Sequence, residues 1–237
     1  MLTAVGKVAQ DLTFLETEPM FFGAAVLELY VDRPEMLDSS LRPTEDVDVV
    51  VTLSLGLAGR QAVPAMEAEL RRRGFVDDPR PHRRNIHAFI SPSGVAVDVV
   101  MDAMYDPMDW PLSSRDSAQR VALPSGREVL IPAPAYYLAC KVSASRSERR
   151  WEGDYYSHDL EDIALLLAGC SAFPAALSHV DERLGQFLQQ WATEVVEQKT
   201  EFGRKSYSVL MTNLPAAASD SGFVDLLAQL AGRPTTE

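Results

Sequence analysis

Cysteine is scarce, with Cys140 and Cys170 the two among 237 residues. Two thiols in apolar surroundings cannot supply a cysteine-rich metal cluster, and they suit a reducing compartment. Lysine is scarcer than arginine, and Lys141 stands alone between Lys7 and Lys199. No stretch approaches the roughly 20 consecutive apolar residues of a membrane-spanning helix. The opening MLTAVGKVAQD lacks an apolar core followed by a small-residue cleavage site, so a cytoplasmic protein with no membrane contact is expected. Basic charge is also short. Lys and Arg total 22 against 34 Asp and Glu, a net charge of −12. So acidic a chain is poorly suited to coat nucleic acid through phosphate contacts alone, though a local basic patch would still steer RNA.

What is present divides into two parts. Up to about residue 130, helical and strand patterns alternate. Residues 3–17 read as helix, MFFGA as a short strand, GAAVLELY as helix, and VDRPEMLDSSLRP as loop. VDVVVTLSL is a β-branched strand, and QAVPAMEAELRRRGF is a helix ended by Gly74. NIHAFISP and VAVDVVMDA form a hairpin turning at Ser93-Gly94, and RVALPSGREVLIP forms another at Ser125-Gly126. From Ala133 onward the pattern is almost wholly helical. The expectation is α+β: a mixed-sheet domain over 1–130 and a helical domain over 131–237.

Asp46-Val47-Asp48-Val49-Val50-Val51 is the most informative segment. Period-two geometry puts Asp46 and Asp48 on one face and Val47, Val49 and Val51 on the other. Neighbouring carboxylates repel unless a cation lies between them. Such a pair suits Mg²⁺, a hard ion that takes oxygen ligands together with substrate phosphates. An edge strand with two solvated aspartates is the alternative. In the strand from Val95 to Asp102, Asp98 lies within an apolar run, where a carboxylate is costly to bury without a partner or a metal. Asp46, Asp48 and Asp98 would form a three-carboxylate site for two Mg²⁺ ions, with Asp102 a fallback ligand.

A glycine after a short strand, then Arg42-Pro43-Thr44-Glu45-Asp46-Val47-Asp48, then a lone strand aspartate resembles the nucleotidyltransferases of the DNA polymerase β superfamily. Arg-x-Thr-x-Asp-h-Asp with a helical lysine and a later D-x-x-D resembles the AbiEii/AbiGii toxin type, over about residues 20–167. The resemblance implies a nucleotidyltransferase domain joined to a helical domain. It implies transfer of a nucleoside monophosphate from an NTP to an acceptor hydroxyl, on RNA such as a tRNA 3′ end or on a small molecule, and a possible antitoxin partner. Asp46, Asp48 and Asp98 would hold the metals, and Asp98 would help deprotonate the acceptor. Lys141 would contact nucleotide phosphate and Asp162 would belong to the catalytic set. Gly23, Ala24, Arg42, Thr44 and Asp159 would serve the nucleotide.

Two positions depart from the family pattern. Gly23-Ala24-Ala25 lacks the hydroxyl expected at the phosphate-binding turn, and His158 stands where the family's helix has lysine before D-x-x-D. Lys141 could instead be a snorkelling lysine, and Asp159 could simply favour a helix N-terminus. The six arginines between Arg71 and Arg84, with Arg146, Arg149, Arg150, Trp151, Tyr155 and Tyr156, could grip or stack on a substrate or be ordinary surface. The four histidines lack zinc-ligand spacing. A degenerate binding protein of the same fold and an antibiotic-type adenylyltransferase are the competing readings.

Overall fold

The computed structural model describes residues 1–37, 44, 46–52, 57–80, 87–101, 115–146, 155–215, 217–218 and 220–232. Arg42, Asp102, His82, Arg83, Arg84, Arg149, Arg150 and Trp151 lie outside these, as do the side chains of Tyr155 and Tyr156. The fold is α+β. Two compact units divide the chain, one of Met1–Val26 with Pro43–Ala133, the other of Leu27–Arg42 with Pro134–Glu237.

The first unit is built on a mixed sheet of seven strands among the described residues: β1 (Met20–Phe22), β2 (Val47–Val51), β3 (Val76–Asp77), β4 (Ala88–Ile90), β5 (Ala96–Met101), β6 (Gln119–Ala122) and β7 (Glu128–Ile131). Their spatial order is β3-β4-β5-β2-β1-β7-β6. β2 lies centrally, parallel to β5 and antiparallel to β1. One face of β2 and β5 carries Val47, Val49, Val51, Val97 and Val99, each at most 1% exposed. Branched side chains standing on a pleat pack well, which is why this run forms buried strand. The opposite face carries the acids.

Helix α1 (Leu2–Asp11) buries Val5 and Val8. It stops well short of the expected residue 17, because Thr13 turns its hydroxyl onto the carbonyl of Gln10 and so competes with helix continuation. Helix α2 (Leu57–Arg72) ends as expected. Gly74 adopts φ +93°, its N–H donates to Arg71 O, and the N–H of Phe75 donates to Leu70 O, a Schellman close. Both hairpin turns form, with Gly94 and Gly126 at positive φ. The segment after Gly23 is not the expected α-helix. Ala24–Leu29 is 3₁₀, carried by i→i+3 bonds such as Val26 N to Gly23 O, and a second 3₁₀ turn at Pro34–Met36 interrupts the expected loop. Burial of Ala25, Val26, Leu27 and Tyr30 sets the winding of the first segment. The sequence pattern also passes over β3, whose two residues are too few for alternation to register.

The second unit contains α3 (Pro134–Ser145), α4 (Tyr155–Gly169), α5 (Phe173–Leu177), α6 (Glu182–Glu197), α7 (Glu201–Thr212) and α8 (Asp220–Leu230). α3 packs on α4 and α6, α4 on α7, and α6 on α7 and α8 around the fully buried Trp191. Asp181 caps α6 by accepting from Leu184 N, and Thr200 caps α7 by accepting from Gly203 N, which satisfies N–H groups that a helix start leaves open. A Cβ on Gly203 would lie 2.2 Å from Glu194 O, so this glycine permits the close crossing of α6 and α7. Residues 30–33 are fastened to the end of α4. Asp32 accepts from Ser171 N and receives the Ser171 hydroxyl, Arg33 donates to Ala168 O, and Val31 fills the space beside the bare Cα of Gly169.

Candidate active site

Strand register brings two of the expected ligands side by side. Asp48 of β2 is the direct partner of Asp98 on β5, and paired positions on adjacent strands project to the same face. Asp48 is half-buried and Asp98 is 7% exposed. Asp46 precedes β2 by one residue and shares the parity of Asp48. Thr44 donates its hydroxyl to Oδ1 of Asp46 at 2.9 Å, which fixes the orientation of that carboxylate.

Gly23 completes this corner. It follows β1, whose Phe22 pairs with Asp48. Its φ of +73° is a conformation side chains rarely adopt, and a Cβ there would lie 1.8 Å from Oδ2 of Asp48. Glycine is therefore required twice over, by the turn and by the carboxylate against it. The sequence pattern marks Gly23 as a phosphate-turn residue, but its contact with Asp48 follows only from the β1–β2 register.

The donor chemistry of Asp48 and Asp98 fits a hard divalent ion, since both offer carboxylate oxygens from one sheet face beside a backbone kept bare. No group of three or more His, Cys, Asp or Glu side chains among the described residues is arranged to hold a metal ion. Asp46 therefore does not close a ready-made three-ligand cage with the other two. The fit is that of a two-carboxylate site open to ligands from a substrate.

In the helical unit, three other expected residues come together. Lys141 of α3 lies 2.5 Å from Oδ2 of Asp162 and 3.3 Å from Oδ1 of Asp159, both on α4. The spacing of the two aspartates puts them on one helical face, and all three residues are buried, at 8%, 3% and 5% exposure. The ammonium does not snorkel to solvent: it is held inside the unit by two carboxyl groups. Asp159 is the fifth residue of α4 and turns to Lys141 instead of serving the helix start. Lys141 also stands 5.8 Å from the Tyr137 ring, whose centroid lies 4.7 Å from that of Tyr30 with the two rings tilted by 43°. Burial pushes the neighbouring Cys140 thiol up to about 12, against the opposing pull of the Lys141 ammonium. It pushes the Tyr30 phenol well above its ordinary value too.

The arginine run does not present an open basic patch among its described members. Arg71 pairs with Asp77 and Glu67, Arg72 and Arg73 with Glu69, and Arg80 with Asp78. Hydrogen bonds from Arg72 and then Arg73 draw the Glu69 carboxyl down to about 2. Arg146 is likewise engaged, 2.9 Å from Glu194 and within about 6 Å of the Phe187 and Phe202 rings. His87 contacts Glu67 through Nδ1 at 2.5 Å, His179 is exposed and His158 half-buried. The family models and the curated proteins compared with this chain give no match.

Proposed function

We propose that this chain is a Mg²⁺-dependent nucleotidyltransferase, moving a nucleoside monophosphate from an NTP to an acceptor hydroxyl with release of pyrophosphate. The observation that carries the reading is the corner made by Asp48, Asp98 and Gly23. Two carboxylates in register on one sheet face suit a shared hard divalent ion, and the missing side chain of Gly23 lets the Asp48 carboxylate lie against the turn. Asp48 and Asp98 would hold the ion, with Asp46 steered by Thr44 as the outer carboxylate. Such an ion supplies charge neutralisation and acidification of a bound hydroxyl. Asp98, the more buried carboxylate, would receive the acceptor's proton.

Lys141 takes a phosphate-facing role in this reading only by exchange, since its amine already meets Asp159 and Asp162. The resemblance further suggests a cytoplasmic toxin acting on an RNA end, with an antitoxin as partner. The ion-paired arginines and the net charge of −12 favour a small acceptor or a short RNA end over a long RNA duplex. A degenerate binding protein is the second reading, favoured by Ala24-Ala25 in place of a hydroxyl-bearing turn. Incubation with each α-labelled NTP and Mg²⁺, with and without total RNA, separates them. Label on RNA supports the toxin-type reading, and label on a small acceptor supports an antibiotic-type adenylyltransferase. No label transfer with any NTP overturns the enzyme reading in favour of the binding protein.

A further inference from the structure

A second site lies at the other end of the sheet. β7 runs parallel to β1 with Leu130 beside Met20, so the turn that precedes β7 sits at the opposite end of the strands from Gly23 and Asp48. Between that turn and one face of α1 is a cavity of about 310 Å³. Thr3, Gly6, Lys7 and Gln10 line it from the helix, at spacings that put them on one side, and Ser125 and Arg127 line it from the turn.

Its lysine differs from the other three. Lys141, Lys199 and Lys205 each contact a carboxylate. Lys7 makes no such contact, and Arg127 donates to the neutral amide oxygen of Gln10. No acidic side chain lines the cavity. Asp11, the next residue on the helix, is turned away to Ser93, accepting from its N–H and hydroxyl. In a chain of net charge −12, two cations and two hydroxyls therefore line one cavity that has no acidic side chain in its lining.

Gly6 supplies an independent observation. Glycine is a poor residue inside a helix, and packing does not demand it here. A Cβ at Gly6 would meet Leu123 at 3.5 Å and Ser125 Oγ at 3.7 Å, ordinary contact distances. The missing side chain keeps that part of the cavity lining open.

We propose that this cavity binds a phosphate group carried by a small molecule. The guanidinium fork of Arg127 matches phosphate oxygens in pairs, Lys7 adds a point charge, and Thr3 and Ser125 donate hydroxyls. The site is distinct from the Asp48–Asp98 corner and does not depend on its chemistry.

The test is a melting series of the full chain without Mg²⁺, comparing sodium phosphate, adenosine 5′-monophosphate and ribose 5-phosphate with sodium chloride at matched ionic strength. The phosphate compounds should raise the midpoint saturably, as a ligand of the folded state does. Lys7→Gln and Arg127→Gln should each raise the half-saturating concentration at least tenfold. Gly6→Ala should raise the midpoint without phosphate and weaken the phosphate response. Asp48→Asn should leave the response unchanged, which separates this site from the catalytic one. Tighter response to the monophosphate than to inorganic phosphate assigns a nucleotide, and an equal response assigns free phosphate. A rise no greater than that in chloride, or a rise that survives both charge-removing variants, overturns the proposal.

Discussion

Gly23 and Asp48 touch so closely that no side chain fits between them: a Cβ on the glycine would stand 1.8 Å from Oδ2 of the aspartate. The contact joins the turn after β1 to the central strand of the sheet, because Phe22 and Asp48 are register partners.

Gly23→Ala should therefore both strain the turn and displace the Asp48 carboxylate. A stability loss on the order of 1–3 kcal/mol is expected from forcing alanine to positive φ, together with a tenfold or greater loss of the proposed nucleotidyl transfer. On the proposed reading, Ala24→Ser, one residue on, restores a hydroxyl to the turn and should lower the KM for NTP. Urea midpoints and steady-state rates on both variants decide the matter. A Gly23→Ala protein with wild-type rates would contradict the assigned role.

Lys141 anchors two buried carboxyl groups. Lys141→Ala strands Asp159 and Asp162 without their ammonium, and breaking a buried pair in this way typically costs about 3–5 kcal/mol. Lys141→Ala combined with Asp162→Asn should recover part of that loss, because one uncompensated charge has gone. Chemical denaturation of the single and double variants measures the coupling. Additive losses would mean that the 2.5 Å contact between Lys141 and Asp162 carries no stability.

Neither thiol should be reactive while the protein is folded. Cys140 is pushed up to about 12 and Cys170 is raised, chiefly by burial in both cases, and the thiolate is the nucleophile. At pH 8 a thiol reagent should titrate the native chain slowly and the urea-unfolded chain at once. Rapid stoichiometric reaction of the native protein would contradict the raised thiol values.

Stability in acid should depend on Asp181. The Tyr136 hydroxyl, first, and the Leu184 N–H hold its carboxyl below the ordinary value of 3.8. A carboxyl whose folded pKa is depressed stabilises the fold above the unfolded pKa, and that contribution disappears as pH falls through the folded value. Tyr136→Phe should flatten the decline of melting temperature below about pH 4. Wild-type and variant melting curves that stay parallel down to pH 2 would exclude the linkage.

Much of the sheet was legible because its signals are local. The valine alternation around Asp48 and the glycines of two hairpins each fix a strand or a turn without distant help. The pairing of Asp48 with Asp98 was legible as a possibility, since both lie mid-strand, but which strands adjoin is a property of the whole sheet. The 3₁₀ winding after Gly23 was hidden because apolar spacing at i, i+3 serves both helix types over six residues. Lys141 illustrates the same limit. Its apolar neighbours Cys140 and Val142 are visible, whereas the two aspartates that hold it arrive from a different helix. The ion pairing of the arginine run also depends on acids beyond it, Glu67 and Glu69 on α2 among them.

The central claim is that Asp48 and Asp98 together hold a metal–nucleotide complex. The most direct measurement is the melting temperature of wild type, Asp48→Asn and Asp98→Asn with and without Mg²⁺-NTP. Binding to the folded state at 100 times Kd adds about 2.7 kcal/mol, enough to raise the wild-type midpoint by several degrees. Each variant should shift far less, while its midpoint without ligand stays equal or rises because repulsion between the two carboxylates is relieved. Equal shifts in all three proteins would contradict the claim and leave the sheet corner without a metal.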